Sequence, residues 1–475
     1  MQPTTTQQTI LLVNPPIHDF AAYDLFNKPL GLLYLASRLR RAGFHVALVD
    51  ALDRNHRLLA DRPDRPVTRN NGTGKYVTET LAKPESLAWV PRQYRRYGLG
   101  AGTLKTAITQ AVAAIGRKNS IAAVLVGSMM TYWYPGVVEA VEAVRELLPG
   151  VPVALGGVYA TLMPDHAQRV TGANRVFTGN AWPDLGDWLA QVTGNTVDTE
   201  SAGELEHWPR PAYDLYETLD YLTLVTSLGC PFRCEYCASG LLQPRKMRIS
   251  PETFASQVAG LIESLGPRLR TWGRGINVAM MDDALLARPV GERVELLDRL
   301  ARLNLRWHTP NGLHCRFVGP EVAKSLYDSG FEMVRLSYET VESADRWVAA
   351  SDHKVSDSAF WSAVEALRSA GYAPGRLEAY VLAGLPGQTV DEVRDSAQAV
   401  LSQGVRVRIS QYTPIPGTAM FADACRWYAV GEEEPLLHNN TVLAEIENGQ
   451  RCADRRCWQS MRDWVTTCNR AIAGK

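Results

Sequence analysis

Cys230, Cys234 and Cys237 crowd into one short stretch, GCPFRCEYC. Their spacing, C-x3-C-x2-C, sets three thiolates on one loop directly after an apolar strand candidate, Tyr221–Thr226. Three such thiolates hold three irons of a [4Fe–4S] cluster and leave the fourth iron open to a substrate or cofactor ligand. A zinc site more often takes four protein ligands, commonly from two separated C-x2-C pairs. Three unreactive buried cysteines are the other alternative, but this spacing at a strand end, with an aromatic before the last cysteine, seldom arises that way. Eight cysteines in 475 residues are too few for a disulfide scaffold, so the crowding reads as metal chemistry in a reducing compartment. Cys315, in NGLHCR, lies beyond a strand end. Cys452, Cys457 and Cys468, spaced C-x4-C-x10-C, follow no cluster pattern and read as buried or incidental thiols.

The elements that must carry these residues alternate along the chain. Ile10–Asn14, His45–Asp50, Ala122–Ser128, Val151–Leu155 and Val176–Thr178 are apolar runs separated by helical patterns such as Leu30–Arg41 and Val137–Leu148. Continuous apolar strands between helices predict a parallel sheet covered on both faces. The fold class is therefore α/β, and residues 1–192 are expected to form a doubly wound, Rossmann-like domain. Within it, 54–100 is a long irregular insertion, either a functional loop or cap or a solvated excursion. The polar, turn-rich stretch 193–220 predicts a linker. From 221 to 430, Tyr221–Thr226, Ile276–Met281, Arg306–Thr309, Met333–Ser337, Leu377–Leu382 and Val405–Ser410 alternate with helical patterns. Six units in this span predict a partial (β/α)6 barrel, because a full eight-unit TIM barrel takes about 250 residues. Residues 431–475 are expected to be a small helical segment.

Lys+Arg and Asp+Glu each number 50, so the formal net charge is zero. That argues against nucleic acid as the main partner, because phosphate neutralisation usually leaves a basic excess. No apolar run approaches the length of about 18 residues needed to span a membrane. Met1–Gln8 is polar and leads straight into a strand candidate, so no signal peptide is expected and the cytoplasm is the expected setting.

GCPFRCEYCAS resembles the cluster loop of the radical S-adenosylmethionine (SAM) enzymes, with Tyr236 at that family's usual aromatic position. The resemblance runs through the whole second domain. Met280-Met281-Asp282-Asp283 is similar to the turn that binds the methionine amino group of SAM, which implies a cofactor role for Asp282 and Asp283. Ser337-Tyr338-Glu339-Thr340 resembles a strand end near the sugar and methionyl parts of SAM, implicating Ser337 and Glu339. GLPGQT (384–389) and YTPIPGT (412–418) match two further segments, the second of which brings in Tyr412. Plainer readings stand beside these: Asp282-Asp283 as a solvated turn or helix cap, Glu339 as a helix cap, and GLPGQT as a turn.

The first domain resembles the cobalamin-binding domain that precedes the barrel in one large subgroup. The matching residues are VNPP (13–16), PLGLLYLASRLRRAGFHVALVD (29–50), VGSMMTYWYP (126–135), LGGVYATLMPD (155–165) and FTGN (177–180). The resemblance implies cobalamin at the carboxyl ends of the strands. Ser128 and Thr131 would lie near its nucleotide tail, and Gly156 and Gly157 would allow close backbone approach. Tyr132, Trp133 or Tyr134 would cover its lower face. The DxHxxG motif that elsewhere supplies a histidine to cobalt is absent, so no histidine ligand is expected. A scaffold domain that has lost its cofactor is the alternative.

The resemblance thus implies three cofactors: a [4Fe–4S] cluster, SAM and cobalamin. Reductive cleavage of SAM, with electrons from a donor such as flavodoxin or ferredoxin, would yield a 5′-deoxyadenosyl radical. That radical abstracts hydrogen from an unactivated carbon of a small-molecule substrate. Methylation is the expected outcome; cyclisation, ring contraction or rearrangement without methyl transfer is the other. For methylation, Ser128–Tyr134 and the Cys230–Cys237 loop are expected to face each other. A tRNA methylthiolase would carry a different, cysteine-bearing first domain and a small basic β-barrel at its end, and the sequence has neither.

Overall fold

The computed structural model describes residues 8–116, 120–197, 203–273, 275–447, 450–451 and 456–474. The chain divides into two compact units, Met1–Asp220 with Leu261–Arg270, and Tyr221–Gly260 with Thr271–Lys475.

In the first unit, β1 (Gln8–Asn14), β2 (His45–Asp50), β3 (Ser120–Val126), β4 (Val153–Leu155) and β5 (Arg175–Val176) form one parallel sheet in the order β2-β1-β3-β4-β5. Alternate side chains of β1 enter opposite cores, as the period-2 geometry of a strand requires. Leu11 and Val13 pack with helices Ala101–Ile115 and Tyr134–Leu147 on one face. Ile10 and Leu12 pack with Leu30–Arg41 and Trp182–Thr193 on the other. Each fully buried Leu or Ile contributes roughly 1.5–3 kcal/mol, so this doubly covered strand is a main source of cohesion. The strand order reverses between β1 and β3, and such a switch point is where doubly wound sheets hold ligands.

The 54–100 insertion is folded. Thr78–Thr80 and Ile17–Asp19 each pair antiparallel with Arg95–Tyr97, and Tyr76 and Tyr97 bury against Ile17 and Leu52. Arg54 holds its loops by donating to Lys75 O, Gly72 O and Thr68 Oγ1, at 3.1, 2.9 and 2.7 Å. The described part of 193–220, expected as a linker, packs on the same unit instead. Ser37 Oγ donates to Arg210 O at 2.6 Å, and the Tyr216 hydroxyl donates to buried Asp50 at 2.6 Å.

The second unit carries β6 (Leu222–Leu224), β7 (Asn277–Met280), β8 (Arg306–His308), β9 (Phe331–Glu339), β10 (Leu377–Ala383) and β11 (Arg406–Gln411). They are parallel and in sequential order, with Leu313–His314 added beside β9. This is the expected six-unit open barrel. Val334, Leu336 and Tyr338 of β9 face the outer helices, Tyr338 against Phe360 and Trp361, so Met333, Arg335, Ser337 and Glu339 face inward.

The helix Arg456–Ile472 packs on β11 through buried Met461 and Val465. Its Asn469 side-chain amide accepts from Val407 N at 2.8 Å and donates to Val407 O at 2.7 Å. The side chain thereby satisfies both backbone groups of one residue on the last barrel strand, as a neighbouring strand would. Cys468 is half-buried on this helix; Cys452 and the side chain of Cys457 lie outside the described residues. Among the described residues no helix is long and apolar enough to cross a membrane.

Candidate active site

A two-residue antiparallel ladder, Ser227–Leu228 with Met247–Arg248, closes the base of the segment that holds the three cysteines. Gly229, just before Cys230, has φ +83°, and a Cβ there would also sit 3.1 Å from Gln243 O, so the turn demands glycine. Two carboxylates then fix the loop to the end of β7. Asp282, fully buried, accepts from Thr226 N and Oγ1 and from Ser227 Oγ at 2.6–3.0 Å. Asp283 accepts from Gly229 N at 3.0 Å and from Ser239 Oγ at 3.1 Å, clasping the loop on both sides of the cysteines. Both acids hold the loop in place.

The turn after helix Asp345–Ala350 supports the loop from below. Ala350 O accepts from Glu235 N, Ser351 O lies 3.3 Å from Cys234 Sγ, and Asp352 accepts from Arg233 N at 2.8 Å. Asp352 and His353 both have left-handed backbones, φ +59° and +47°. Cys234 is buried, Cys230 half-buried and Cys237 exposed. Burial pushes the Cys234 thiol up to about 11 and raises that of Cys230, and both feel the Cys237 sulfur. Buried thiols of this kind ionise when a cation compensates them, and the Lys354 ammonium lies within the field of Cys234 and Cys237.

Among the described residues, no three His, Cys, Asp or Glu groups gather around one point as ligands of a single ion would. A four-iron cluster asks for something else, because each thiolate bonds its own iron. Three thiols on one pinned loop, with a cation beside them, fit that group.

Glu339 ends β9 with φ +71°, at the place where the β9–β10 register shifts. A glutamate in that backbone region costs of order 1–3 kcal/mol and persists only when its surroundings impose it. Here they do: the carboxylate is buried, paired with Lys354 Nζ, and accepts from the Tyr236 hydroxyl. Burial pulls the Lys354 ammonium down, but Glu339 and the Cys234 sulfur outweigh it and the net shift is upward. Tyr236 is raised by burial and by the Glu339 charge. Ser337 is buried one layer deeper on the same face, paired in register with His314 and Tyr380. His314 stacks on Phe232 of the cysteine loop, ring centroids 4.6 Å apart, and burial lowers it to about 3. Tyr412, just past β11, has a buried hydroxyl with no partner among the described residues.

Sequence reasoning placed Tyr236, Glu339 and the cysteines together and missed Lys354 and Ser239. Neither belongs to a spaced motif. A lysine in a turn signals a function only through its burial, which no single sequence displays.

In the first unit, Ser128, Thr131, Tyr132, Gly156 and Gly157 gather at the carboxyl ends of β3 and β4. Gly157 has φ +103°, and a Cβ there would lie 2.3 Å from Ser128 O, so the pair meets backbone to backbone. Ser128 Oγ donates to Gly156 O at 2.8 Å and accepts from Ala160 N at 3.2 Å, which commits it to this corner. Gly156 faces open space, and Met129 and Met130 are each about 40% exposed beside it. Thr131 and Tyr132 are buried, while Trp133 Nε1 donates to Asp19 at 2.6 Å. His18, near the end of β1, has its Nε2 2.8 Å from the Glu139 carboxylate. A glycine opening, apolar exposed methionines and a switch point fit a flat, largely apolar macrocycle, and the His18 imidazole near this rim is held by a carboxylate.

Residues 224–400 match the Radical SAM superfamily. The hopanoid C-2 methylase of Rhodopseudomonas palustris (strain TIE-1) is 25% identical over 225 residues, 43% of this chain and 40% of that protein. The cytidylyl-2-hydroxyethylphosphonate methyltransferase of Streptomyces wedmorensis is 20% identical over 396 residues, 71% of this chain and 66% of that protein. The chain therefore spans less than two thirds of the length of these curated relatives. Among solved structures, TsrM from Kitasatospora setae, a radical SAM methyltransferase with tryptophan and a SAM analogue bound, superposes with a TM-score of 0.61 at 16% identity. The superposition covers 89% of this chain and 76% of TsrM. A second TsrM structure, with cobalamin and a [4Fe–4S] cluster, gives a TM-score of 0.59 over 90% of this chain and 80% of that one.

Proposed function

We infer that this chain is a radical SAM enzyme of the cobalamin-dependent kind, a methylase acting on an unactivated carbon of a small-molecule substrate. The observation that carries the reading is the C-x3-C-x2-C loop, pinned at the carboxyl end of a six-unit parallel barrel in a chain that also holds a doubly wound sheet with an open switch point. When bound, the cluster supplies the electron that cleaves SAM to methionine and a 5′-deoxyadenosyl radical, and cobalamin carries the methyl group. The protein's own part is placement and exclusion of water.

Cys230, Cys234 and Cys237 would hold the iron, and Asp282 and Asp283 keep their loop in register with β7. Lys354 compensates the thiolate charge from below. Glu339, fixed by Tyr236 and Lys354, would present a rigid carboxylate edge to SAM, with Ser337 and the free hydroxyl of Tyr412 on the same rim. In the first unit, Gly156, Gly157 and the Ser128–Tyr132 turn would receive the corrinoid, with no histidine on its metal. Two SAM molecules are consumed per methylation, one giving its methyl group and the other its adenosyl radical. An external one-electron donor such as flavodoxin or ferredoxin completes the balance, in the reducing cytoplasm.

The test is turnover of the reconstituted enzyme with methyl-labelled SAM. Label in the product, together with S-adenosylhomocysteine and 5′-deoxyadenosine, is the expected result. Formation of 5′-deoxyadenosine with an unlabelled product would replace methylation by a rearrangement or cyclisation.

A further inference from the structure

The inward face of β9–β11 holds more cationic charge than anionic. Arg335 of β9 donates from Nε to Glu378 of β10 at 2.7 Å, and Arg406 of β11 donates to the same carboxylate at 2.8 Å. One carboxylate thus serves two guanidiniums. Arg408 stands one inward position further along β11, in register with Tyr380 of β10. It is exposed and has no carboxylate partner among the described residues. Tyr380 itself is half-buried and reaches past β9, its hydroxyl donating to Pro310 O at 2.5 Å just beyond the end of β8. The Arg408 layer is therefore level with Ser337, one step below Glu339 and one step above the Arg335–Glu378–Arg406 layer. Thr309, adjacent to that carbonyl, has a buried hydroxyl with no partner among the described residues. Burial raises the Tyr380 phenol, while Arg335 and Arg408 pull it back, so both guanidiniums act on this one spot.

We propose that this middle layer of the barrel wall binds an anionic group of the substrate, a carboxylate or a phosphate, with Arg408 as the anchoring cation. The proposal rests on the barrel being the place of the radical reaction and narrows its substrate to an anion. An excess of guanidinium charge along one wall attracts an anion and orients it, because the planar fork of arginine matches carboxylate and phosphate oxygens. A substrate tethered there would place its reacting carbon a fixed distance nearer the mouth, where the cysteine loop lies.

The test uses the cluster-loaded full chain at low ionic strength, titrated calorimetrically with inorganic phosphate and with malonate. We expect one anion per chain, retained in the presence of saturating S-adenosylhomocysteine. Its affinity should fall at least about tenfold in Arg408→Gln and less in Arg408→Lys. Preference for phosphate assigns a phosphorylated substrate, and preference for malonate a carboxylate one. Iron content and melting temperature report folding, and the Lys variant carries the comparison if the Gln variant melts early. Absence of binding, equal binding by the variants, or displacement by S-adenosylhomocysteine would each overturn the proposal, the last by assigning the anion to the place of SAM's own carboxylate. Formation of 5′-deoxyadenosine in the same preparation tests the radical reading separately, so the two fail independently.

Discussion

The Lys354–Glu339 pair is buried on both sides, beside the cysteine loop. Removing one partner leaves the other charge out of water, which costs about 3–5 kcal/mol, whereas removing both is far milder. Lys354→Met should therefore lower unfolding stability by about that amount in urea titrations, and Glu339→Gln combined with Lys354→Met by clearly less than the two single changes summed. Additive losses would mean that the pair is not coupled. Each of Cys230→Ala, Cys234→Ala and Cys237→Ala should abolish 5′-deoxyadenosine formation and lower bound iron; a triple variant that still forms it would remove the cluster assignment. His308 makes a third prediction. Burial lowers it to about 3 from a usual 6.5, so the folded chain keeps it neutral where the unfolded chain takes up a proton. The unfolded state then binds more protons between those values, and stability must fall as pH drops through that window. The slope is up to about 1.4 kcal/mol per pH unit for this group. His308→Gln should flatten the pH dependence by that share, and an unchanged slope would remove the burial argument.

At the scale of elements, the strands of all six barrel units were legible in the sequence because each lies between helical patterns and most are apolar runs, whereas Leu313–His314 was not foreseen. The ends of those six moved by only a residue or two, β9 by two at each end, from Phe331 to Glu339. The two short strands of the insertion and their partner Ile17–Asp19 were not legible: with three residues each they show no periodicity, and the pairing with Ile17–Asp19 is long-range. Nor was the docking of 193–220, which depends on single polar contacts such as Tyr216 with Asp50. GLPGQT proved readable as local structure. Gly384 and Gly387 take φ of +80° and +84°, and Thr389 with Glu392 forms a reciprocal cap on the helix Val390–Ser402. Thr389→Ala should cost about 1 kcal/mol. Asn469 is the other test at this scale. Asn469→Leu strips both partners from Val407 and should free the helix Arg456–Ile472, seen as faster amide exchange in β11 and in that helix with little change in β6–β9. Uniform protection would show that the contact is incidental.

For the whole molecule, the central prediction is corrinoid uptake by the first unit. Full-length protein produced with cobalamin available should retain it in a base-off spectral form, because His18 is held by Glu139 and the sequence has no DxHxxG. A spectrum with histidine on the metal would contradict that assignment, and failure of folded, cluster-loaded protein to take up corrinoid would favour a scaffold domain. The cofactor classes were readable from short motifs, since loops that hold cofactors are constrained residue by residue. The substrate was not, because side chains such as Arg408 and Tyr380, proposed to meet it, share a wall only after β10 and β11 pair.

The Asn469 contact also has a meaning in time. A ribosome releases β11 well before it releases the helix that covers Val407, and at roughly 5–20 residues per second the delay is several seconds. Throughout that interval the nascent chain displays a strand with unsatisfied amide and carbonyl groups, open to pairing with another polypeptide. Production of this enzyme should consequently depend on holding factors and on translation speed more than its finished stability suggests. Slowing synthesis between codons 412 and 456 should lower soluble yield, while the protein that does mature should be unaltered.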